Sequence, residues 1–317
     1  MTVAEQIRSA KKTLFSFEIL PPLKGNDITK LYNVLDPLME FQPRYINITT
    51  HREDIVHEEL PGGLIKPKVV RKRPGTVAIA AAIQHKYGIP VVPHVLCGGF
   101  SKSETEYVLI DLNFLEINNL LIVRGDPRRS ERFFKPVDDG HQYVSGVLEQ
   151  INNINQGKFL DEVVENSAPM NFSYGVAGFP EKHFESPNLD TDLLYLKQKV
   201  DLGAEYIVTQ MFFNNQRYYE FVERCRNAGI NVPIVPGLKP IAIAKHLNIL
   251  PQLFNVDIPE ELASEIRKSK NNDEVYRVGI EWCIQQSKDL MKNGAPVLHF
   301  YSMGSSSNIR QIAEAIF

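Results

Sequence analysis

Three polar side chains stand where an apolar pattern has no use for them: Glu18 in FSFEILPP, Asp126 in IVRGDP and Gln210 in VTQMFF. A carboxyl group flanked by Phe17, Ile19 and Leu20 loses hydration in its charged form. That raises its pKa and keeps it a proton donor near neutrality; the bland alternative is an ion pair in the core. Asp126 ends an apolar run beside Arg124, with Gly125 allowing close backbone approach and Pro127 stopping the run. A turn aspartate is the plainer reading. The Gln210 amide can both donate and accept a hydrogen bond, toward a ligand or toward core backbone. Asp192 and Lys199, seven apart, share one helix face and suit ribose and phosphate groups, or form a solvated face. His94 is a candidate ligand contact or a satisfied core histidine.

These residues need a scaffold, and its cadence is regular. Short β-branched runs near 13–20, 45–50, 90–97, 119–124, 172–178, 205–212, 232–237 and 296–302 read as strands. They are apolar on both faces, as in a parallel sheet covered by helices, and their connections are too long for hairpins. Helical periodicity fills 27–41, 74–87, 101–116, 143–156, 190–202, 215–228, 242–253 and 272–293, with 307–316 closing the chain. Ser101 and Ser103 precede a helix with Glu104 and Glu106 in its first turn. Gly88, Gly203 and Gly229 follow helices, where a left-handed residue ends them. The expected fold is α/β, a (β/α)8 TIM barrel, with residues 1–317 as a single domain. The stretch 127–141 is an enlarged loop after the fourth strand, 255–271 adds a short helix, and an extra helix ends the chain. GFPEKH then sets Phe179 and His183 just past a strand's carboxyl end, where βα loops build active sites.

Composition excludes several classes. The 317 residues carry 35 basic and 38 acidic side chains, net charge -3, without a sustained like-charge block to follow a nucleic acid. The basic run KPKVVRKRP at 66–74 reads as a loop, or as a nucleotide phosphate contact. Cys97, Cys225 and Cys283 lie far apart and form no metal-ligand spacing. A soluble, unprocessed protein of the reducing cytoplasm is expected, with no metal and no membrane or nucleic-acid partner. No G-x-G-x-x-G follows a strand, so any dinucleotide must be held by barrel loops.

The motifs FSFEILPP, YINITT, PHVLC, RGDP, GFPEKH, TQMFF, VPGLKP and HFY follow one another over nearly the whole chain. In that order the chain resembles the methylenetetrahydrofolate reductases. The resemblance implies noncovalent FAD, NADH or NADPH as co-substrate, and reduction of 5,10-methylenetetrahydrofolate to 5-methyltetrahydrofolate, which supplies methyl groups for methionine synthesis. Glu18 would protonate the leaving amine that opens the folate ring. Asp126 would touch both flavin and pterin and tune the flavin potential. The flavin contacts carry over to Thr49, Thr50, His94, Arg124, Gly125, Tyr143, Phe179, His183, Ser186, Asp192 and Lys199. Gln210 would meet pterin and nicotinamide in turn on one flavin face, which makes the mechanism ping-pong. The resemblance implies a barrel without the regulatory domain of longer eukaryotic relatives, and only weakly a homo-oligomer.

The sequence departs from the family at three places. His246 stands where glutamine is common, Leu250 near a usual phenylalanine, and Gly304 and Ser305 where an Asn-Arg pair follows the last strand. The first two belong to the expected substrate site, and all three concern nicotinamide packing or the folate tail. The electron donor therefore stays open between a nicotinamide dinucleotide and a partner iron-sulfur protein. A non-catalytic flavin- or folate-binding barrel is the reading from another class; intact Glu18, Asp126 and Gln210 speak against it.

Overall fold

The computed structural model describes residues 1–127, 131 and 133–317. Arg128, Arg129, Ser130 and Arg132, all in the enlarged loop expected after the fourth strand, lie outside the described residues. The strands are β1 (Leu14–Ile19), β2 (Tyr45–Ile48), β3 (Asp54–Leu60), β4 (Leu64–Val70), β5 (Val91–Leu96), β6 (Asn119–Val123), β7 (Ser173–Gly178), β8 (Tyr206–Thr209), β9 (Ile234–Val235), β10 (Gly237–Leu238) and β11 (Val297–Tyr301). The helices are α1 (Val3–Ser9), α2 (Ile28–Leu35), α3 (Thr76–Tyr87), α4 (Lys102–Phe114), α5 (Val144–Asn155), α6 (Leu189–Asp201), α7 (Asn215–Asn227), α8 (His246–Phe254), α9 (Glu260–Lys268), α10 (Asn272–Lys292) and α11 (Ser307–Ile316).

Nine strands form one parallel sheet in the order β10-β11-β1-β2-β5-β6-β7-β8-β9. Its ends are the two halves of a single interrupted strand: β9 pairs with β8, and after Pro236 β10 pairs with β11. That break closes the sheet into the expected barrel. The Pro236 carbonyl accepts from His299 N at 3.1 Å, and Pro233 O accepts from Ile207 N at 2.9 Å, so both neighbours are served across the kink.

Alternation along the strands sorts the core into two layers. Phe17, Ile19, Ile46, Ile48, Leu298 and Phe300 face the helices. Inside the barrel the lower half is apolar, with Tyr45, Val92, Leu121, Tyr206, Val208, Val235 and Val297. Helix α1 plugs that end with Val3, Ala4 and Ile7. A capping box between Thr2 and Glu5 starts this plug, and Val3 N donates to Asn119 Oδ1 at 2.8 Å. Above this dry layer the inward positions turn polar.

Several boundaries match the expected ones for the expected reasons. Ser101 caps α4 in a reciprocal box with Glu104, and Gly88, Gly203 and Gly229 have φ of 62°, 110° and 76°. Three features differ. The basic run at 66–74 is not a loop: its first residues belong to β4, which pairs antiparallel with β3 in a ribbon rising between β2 and α3. Both faces of this ribbon are largely exposed, so it lacks the buried apolar run that marks the other strands. Its signal was the turn, where Gly62 and Gly63 have φ of 89° and 77°. Helix α1 was missed because seven residues are too few for a periodicity. The expected 27–41 helix ends at Leu35, where Pro37 tightens the chain into a 3-10 segment from Asp36 to Phe41.

Closure at the split strand leaves no room at Gly237. A Cβ there would lie 2.3 Å from Thr209 O and 2.6 Å from Tyr301 Oη, two groups already joined by a 2.6 Å hydrogen bond. Gly237→Ala should therefore destabilise the fold by about 1–3 kcal/mol through overpacking. Urea unfolding measures this, and an unchanged midpoint would mean that the seam has slack.

Candidate active site

Strand register brings the polar upper layer together. Glu18 on β1 lies between Asn47 on β2 and Tyr301 on β11. His94 on β5 comes next around the ring, its Nε2 3.6 Å from Glu18 Oε2 and 3.3 Å from Asn47 Nδ2. The Glu18 side chain is only 14% exposed. Burial pushes its carboxyl up to about 8, partly offset by the positive charge of Lys239. Burial moves His94 the other way, down to about 3, helped by His51. A neutral imidazole cannot ion-pair with Glu18, so a carboxylic acid is kept beside a neutral base. Asn47 Oδ1 is buried without a hydrogen-bond partner.

Below this ring Ser16 Oγ and His299 Nδ1 lie 2.9 Å apart, and Tyr45 stacks on His299. Burial lowers His299 to about 3 as well. The floor of the site therefore carries polar atoms but no resident charge.

At the rim, the carboxyl ends of β2, β6 and β7 hold most of the other expected residues. Thr49 Oγ1 donates to Ile19 O at 3.2 Å, and Thr50 Oγ1 donates to His94 O, which ties the end of β2 to its neighbours. Arg124 follows β6 and donates to Glu185, with its guanidinium 4.9 Å from the Phe134 ring centre. Gly125 next to it has φ of 84° and no Cβ contact closer than 3.9 Å. This leaves an open, left-handed step before Asp126, whose side chain is exposed at the surface but whose carboxyl is raised by desolvation, partly offset by the positive charges of Arg52 and Arg124.

The loop after β7 is tied to α6. Asp192 accepts from Ser186 Oγ at 2.7 Å and from His183 N at 3.1 Å. Lys199 Nζ donates to Ala177 O at 2.9 Å, and burial draws this ammonium down to about 8 against the pull of Asp192. Phe179 meets the His183 ring edge to face at 4.8 Å. Asp192 and Lys199 thus do not sit on a solvated helix face. A cavity of about 170 Å³ opens beside them, bounded by α6 and α7 and lined also by Glu181, Arg217 and Arg224. Glu181 is pushed up to about 7 by burial.

Gln210 lies one residue beyond the end of β8, outside the strand expected to contain it. Its backbone N–H still bonds Gly178 O at 2.8 Å, and its Oε1 accepts from Met211 N at 2.9 Å. Its side-chain nitrogen keeps its donors for other partners. His246 opens α8, where Nδ1 accepts from Ala242 N at 3.2 Å; burial and then Lys239 bring it down to about 4. Two expected residues stand apart from this assembly. Tyr143 is 62% exposed before α5, and Leu250 is 3% exposed in an apolar cluster with Met211, Phe213 and Ile241.

Sequence reasoning passed over Asn47, Glu185, Lys239 and Tyr301. Lys239 carried a readable signal, a lysine within the apolar run VPGLKP. Glu185 carried none, because its partner Arg124 is 61 residues away. The mixture of hydroxyls, carboxylate, arginine and half-buried lysine at the rim suits a dinucleotide cofactor's ribose and phosphates. Among the described residues no group of three metal-ligating side chains occurs and no helix is long and apolar enough to cross a membrane.

The chain is 29% identical to a probable methylenetetrahydrofolate reductase (NADPH) of Caenorhabditis elegans over 315 residues, covering 98% of this chain and 43% of that one. It is 30% identical to methylenetetrahydrofolate reductase (NADH) 1 of Arabidopsis thaliana, covering 96% and 48%. The chain thus spans about half the length of these curated relatives. The 5,10-methylenetetrahydrofolate reductase of Escherichia coli K12 is 28% identical, covering 91% of this chain and 85% of the relative. Among solved structures, an uncharacterized protein from Clostridium thermocellum that binds two copies of 5-methyl-5,6,7,8-tetrahydrofolic acid superposes with a TM-score of 0.57 at 14% identity. It covers 98% of this chain and 97% of its own, and shares the fold. The methylenetetrahydrofolate reductase family model matches residues 3–316, from the plug helix to the last turn of α11, and the chain belongs to that family.

Proposed function

We propose that this barrel reduces 5,10-methylenetetrahydrofolate to 5-methyltetrahydrofolate with noncovalent FAD and a nicotinamide dinucleotide, NADH or NADPH, in two alternating half-reactions. The 1–317 segment acts as one catalytic unit in the cytoplasm, and its product serves methionine synthesis. The observation that carries the reading is Glu18, a carboxyl held up to about 8 on an inward strand position beneath the rim. A group that must donate a proton to a leaving amine at neutral pH needs that property.

FAD held at this rim would supply hydride transfer between the nicotinamide and the folate methylene carbon. Arg124 and Lys199 would face its phosphates, Ser186 and Asp192 its ribose, and Thr49, Thr50, Gly125 and His183 would line its path across the rim. Asp126 and Gln210 would orient the pterin by hydrogen bonds. Glu18 gives its proton to the folate nitrogen as the carbon–nitrogen bond opens. His94, neutral and 3.6 Å away, offers that carboxyl no ion pair, so the burial that keeps its proton on is not offset from this side. His246 is the candidate for nicotinamide contact. Anaerobic mixing with NADH and NADPH separately, followed by flavin absorbance, tests the donor. Flavin that neither reduces, yet that methylenetetrahydrofolate reoxidises after chemical reduction, would point to a partner iron-sulfur protein.

Three outcomes follow. Lys199→Ala should weaken FAD binding roughly 5- to 150-fold, the equivalent of about 1–3 kcal/mol for one lost charge-assisted hydrogen bond. Dilution of the yellow holoprotein measures it, and unchanged retention would return Lys199 to a purely structural tie onto Ala177.

Glu18→Gln keeps shape and hydrogen bonding but removes the acid. Stopped-flow reoxidation of reduced flavin by methylenetetrahydrofolate should slow about 100- to 10,000-fold, while reduction of flavin by the dinucleotide needs no such proton. Reoxidation at the wild-type rate would remove Glu18 from the mechanism.

The same substitution should change stability in a pH-dependent way. The Glu18 carboxyl sits at about 8 in the fold against an ordinary 4.5. Between those values the folded chain keeps a proton that the unfolded chain releases, so rising pH favours unfolding. Glu18→Gln should therefore gain thermal stability over wild type as pH rises through that window, with no such gain below it. Parallel melting curves across the window would contradict the burial argument.

A further inference from the structure

Lys239 is the unexplained charge of the upper layer. β10 sets Gly237 and Leu238 against His299 and Phe300 of β11, and β11 sets Tyr301 against Glu18. One residue beyond Leu238, Lys239 therefore stands at the level of Tyr301 and Glu18. Leu238 packs outward in the layer beneath the helices, so the alternation turns Lys239 inward. It is 7% exposed, and among the described residues it makes no hydrogen bond or contact ion pair. Its charge is felt by Glu18, by His246 on α8 and by Cys283 on α10.

An ammonium taken out of water without a partner is costly, which asks what offsets it. The titratable groups around Glu18 are His94 from β5, Tyr301 and His299 from β11, and Lys239 after β10, with His246 and Cys283 beyond the lysine. Burial keeps the histidines neutral, at about 3 for His94 and His299 and about 4 for His246, and pushes the Cys283 thiol up to about 12. Burial also raises Tyr301 well above its ordinary value. Among the described residues, near neutrality only Glu18 can present a negative charge to Lys239, and only after it has released its proton.

We propose that Lys239 is a positioning residue for Glu18, its ammonium stabilising the carboxylate that remains once the proton has passed to the leaving amine of the folate. This role rests on Glu18 being the acid. In that step the Glu18 O–H bond breaks, and the electron pair of the cleaved carbon–nitrogen bond becomes the new N–H bond. One negative charge appears on Glu18 and one positive charge on the substrate. A fixed cation beside the first is complementary to the transition state and finds no partner in the resting acid. Lys239 itself, lowered to about 8 chiefly by burial, is charged over the range in which the acid works.

The test reads Glu18 directly. In holoprotein, the infrared carbonyl band of a protonated carboxyl that is missing in Glu18→Gln is followed against pH. Lys239→Met, with Lys239→Gln as a second neutral variant if the first loses FAD, should raise the midpoint of that band by about one pH unit, tenfold in proton affinity. The alkaline limb of folate-driven flavin reoxidation should move with it, and the rate should fall roughly tenfold. Lys239→Arg should keep the wild-type midpoint. A neutral variant that binds FAD and titrates as wild type would overturn the role of Lys239, even where Glu18→Gln blocks reoxidation. A Glu18→Gln protein that reoxidises normally would instead overturn the reading of Glu18 as the acid, whatever the band does.

Discussion

Water exclusion from the barrel interior governs every polar group placed there. Helix α1 closes one end with Val3, Ala4 and Ile7, and Tyr45, Tyr206 and the valines of β5, β8, β9 and β11 fill the space above it. Desolvation then acts on the upper layer with one rule and two signs. It raises the carboxyl of Glu18 to about 8 and lowers the imidazoles of His94 and His299 to about 3, because in each case the neutral form is the cheaper one to bury. The apolar plug at the bottom is thus part of the chemistry proposed for the top.

The rim obeys a different constraint. Its groups are charged, and they are held by each other. Asp192 takes the Ser186 hydroxyl and the His183 N–H, Arg124 takes Glu185, and Lys199 takes the carbonyl of Ala177. Lys182, with φ of 95°, accepts a strained backbone and spans the His183 and Ser186 carbonyls, fixing the loop after β7. A ligand that displaces some of these bonds meets side chains already oriented, so less ordering entropy opposes binding. The internal ties are therefore compatible with the cofactor role proposed for the rim.

What could be read from the sequence divides along the same line. The barrel strands were legible because an apolar run bounded by turn residues is a local property, and Glu18 was legible because it violates one. The β3–β4 ribbon was not, since exposure on both faces removes the burial contrast and leaves only Gly62 and Gly63 as a sign. The split at Pro236 was also hidden. A proline within a strand says that a ladder bond is lost, and only the closed barrel says that each half serves a different neighbour. At the site, contacts between residues near in sequence, such as Ser186 with Asp192, follow from spacing, whereas Arg124 with Glu185 and Glu18 with His94 depend on which strands lie side by side. The exposure of Tyr143 and the burial of Leu250 likewise depend on packing that their own segments do not encode.

Placing the acid deep in the barrel has a structural consequence. A carboxyl kept protonated to about 8 destabilises the fold wherever an unfolded chain would ionise it, and an unpaired lysine at the same level adds to that cost. Neither would persist in a barrel whose remaining interior was also polar. Here the lower layer is largely apolar, and the seam at Gly237 is tight enough that Tyr301 reaches Thr209 O at 2.6 Å. That tight seam at Gly237 lies level with His299 and Ser16, one step below Glu18 on the neighbouring strand. A loosened seam that admitted solvent would let the Glu18 carboxyl fall toward its ordinary range, which would tie the stability of the barrel to the proton donation proposed for Glu18.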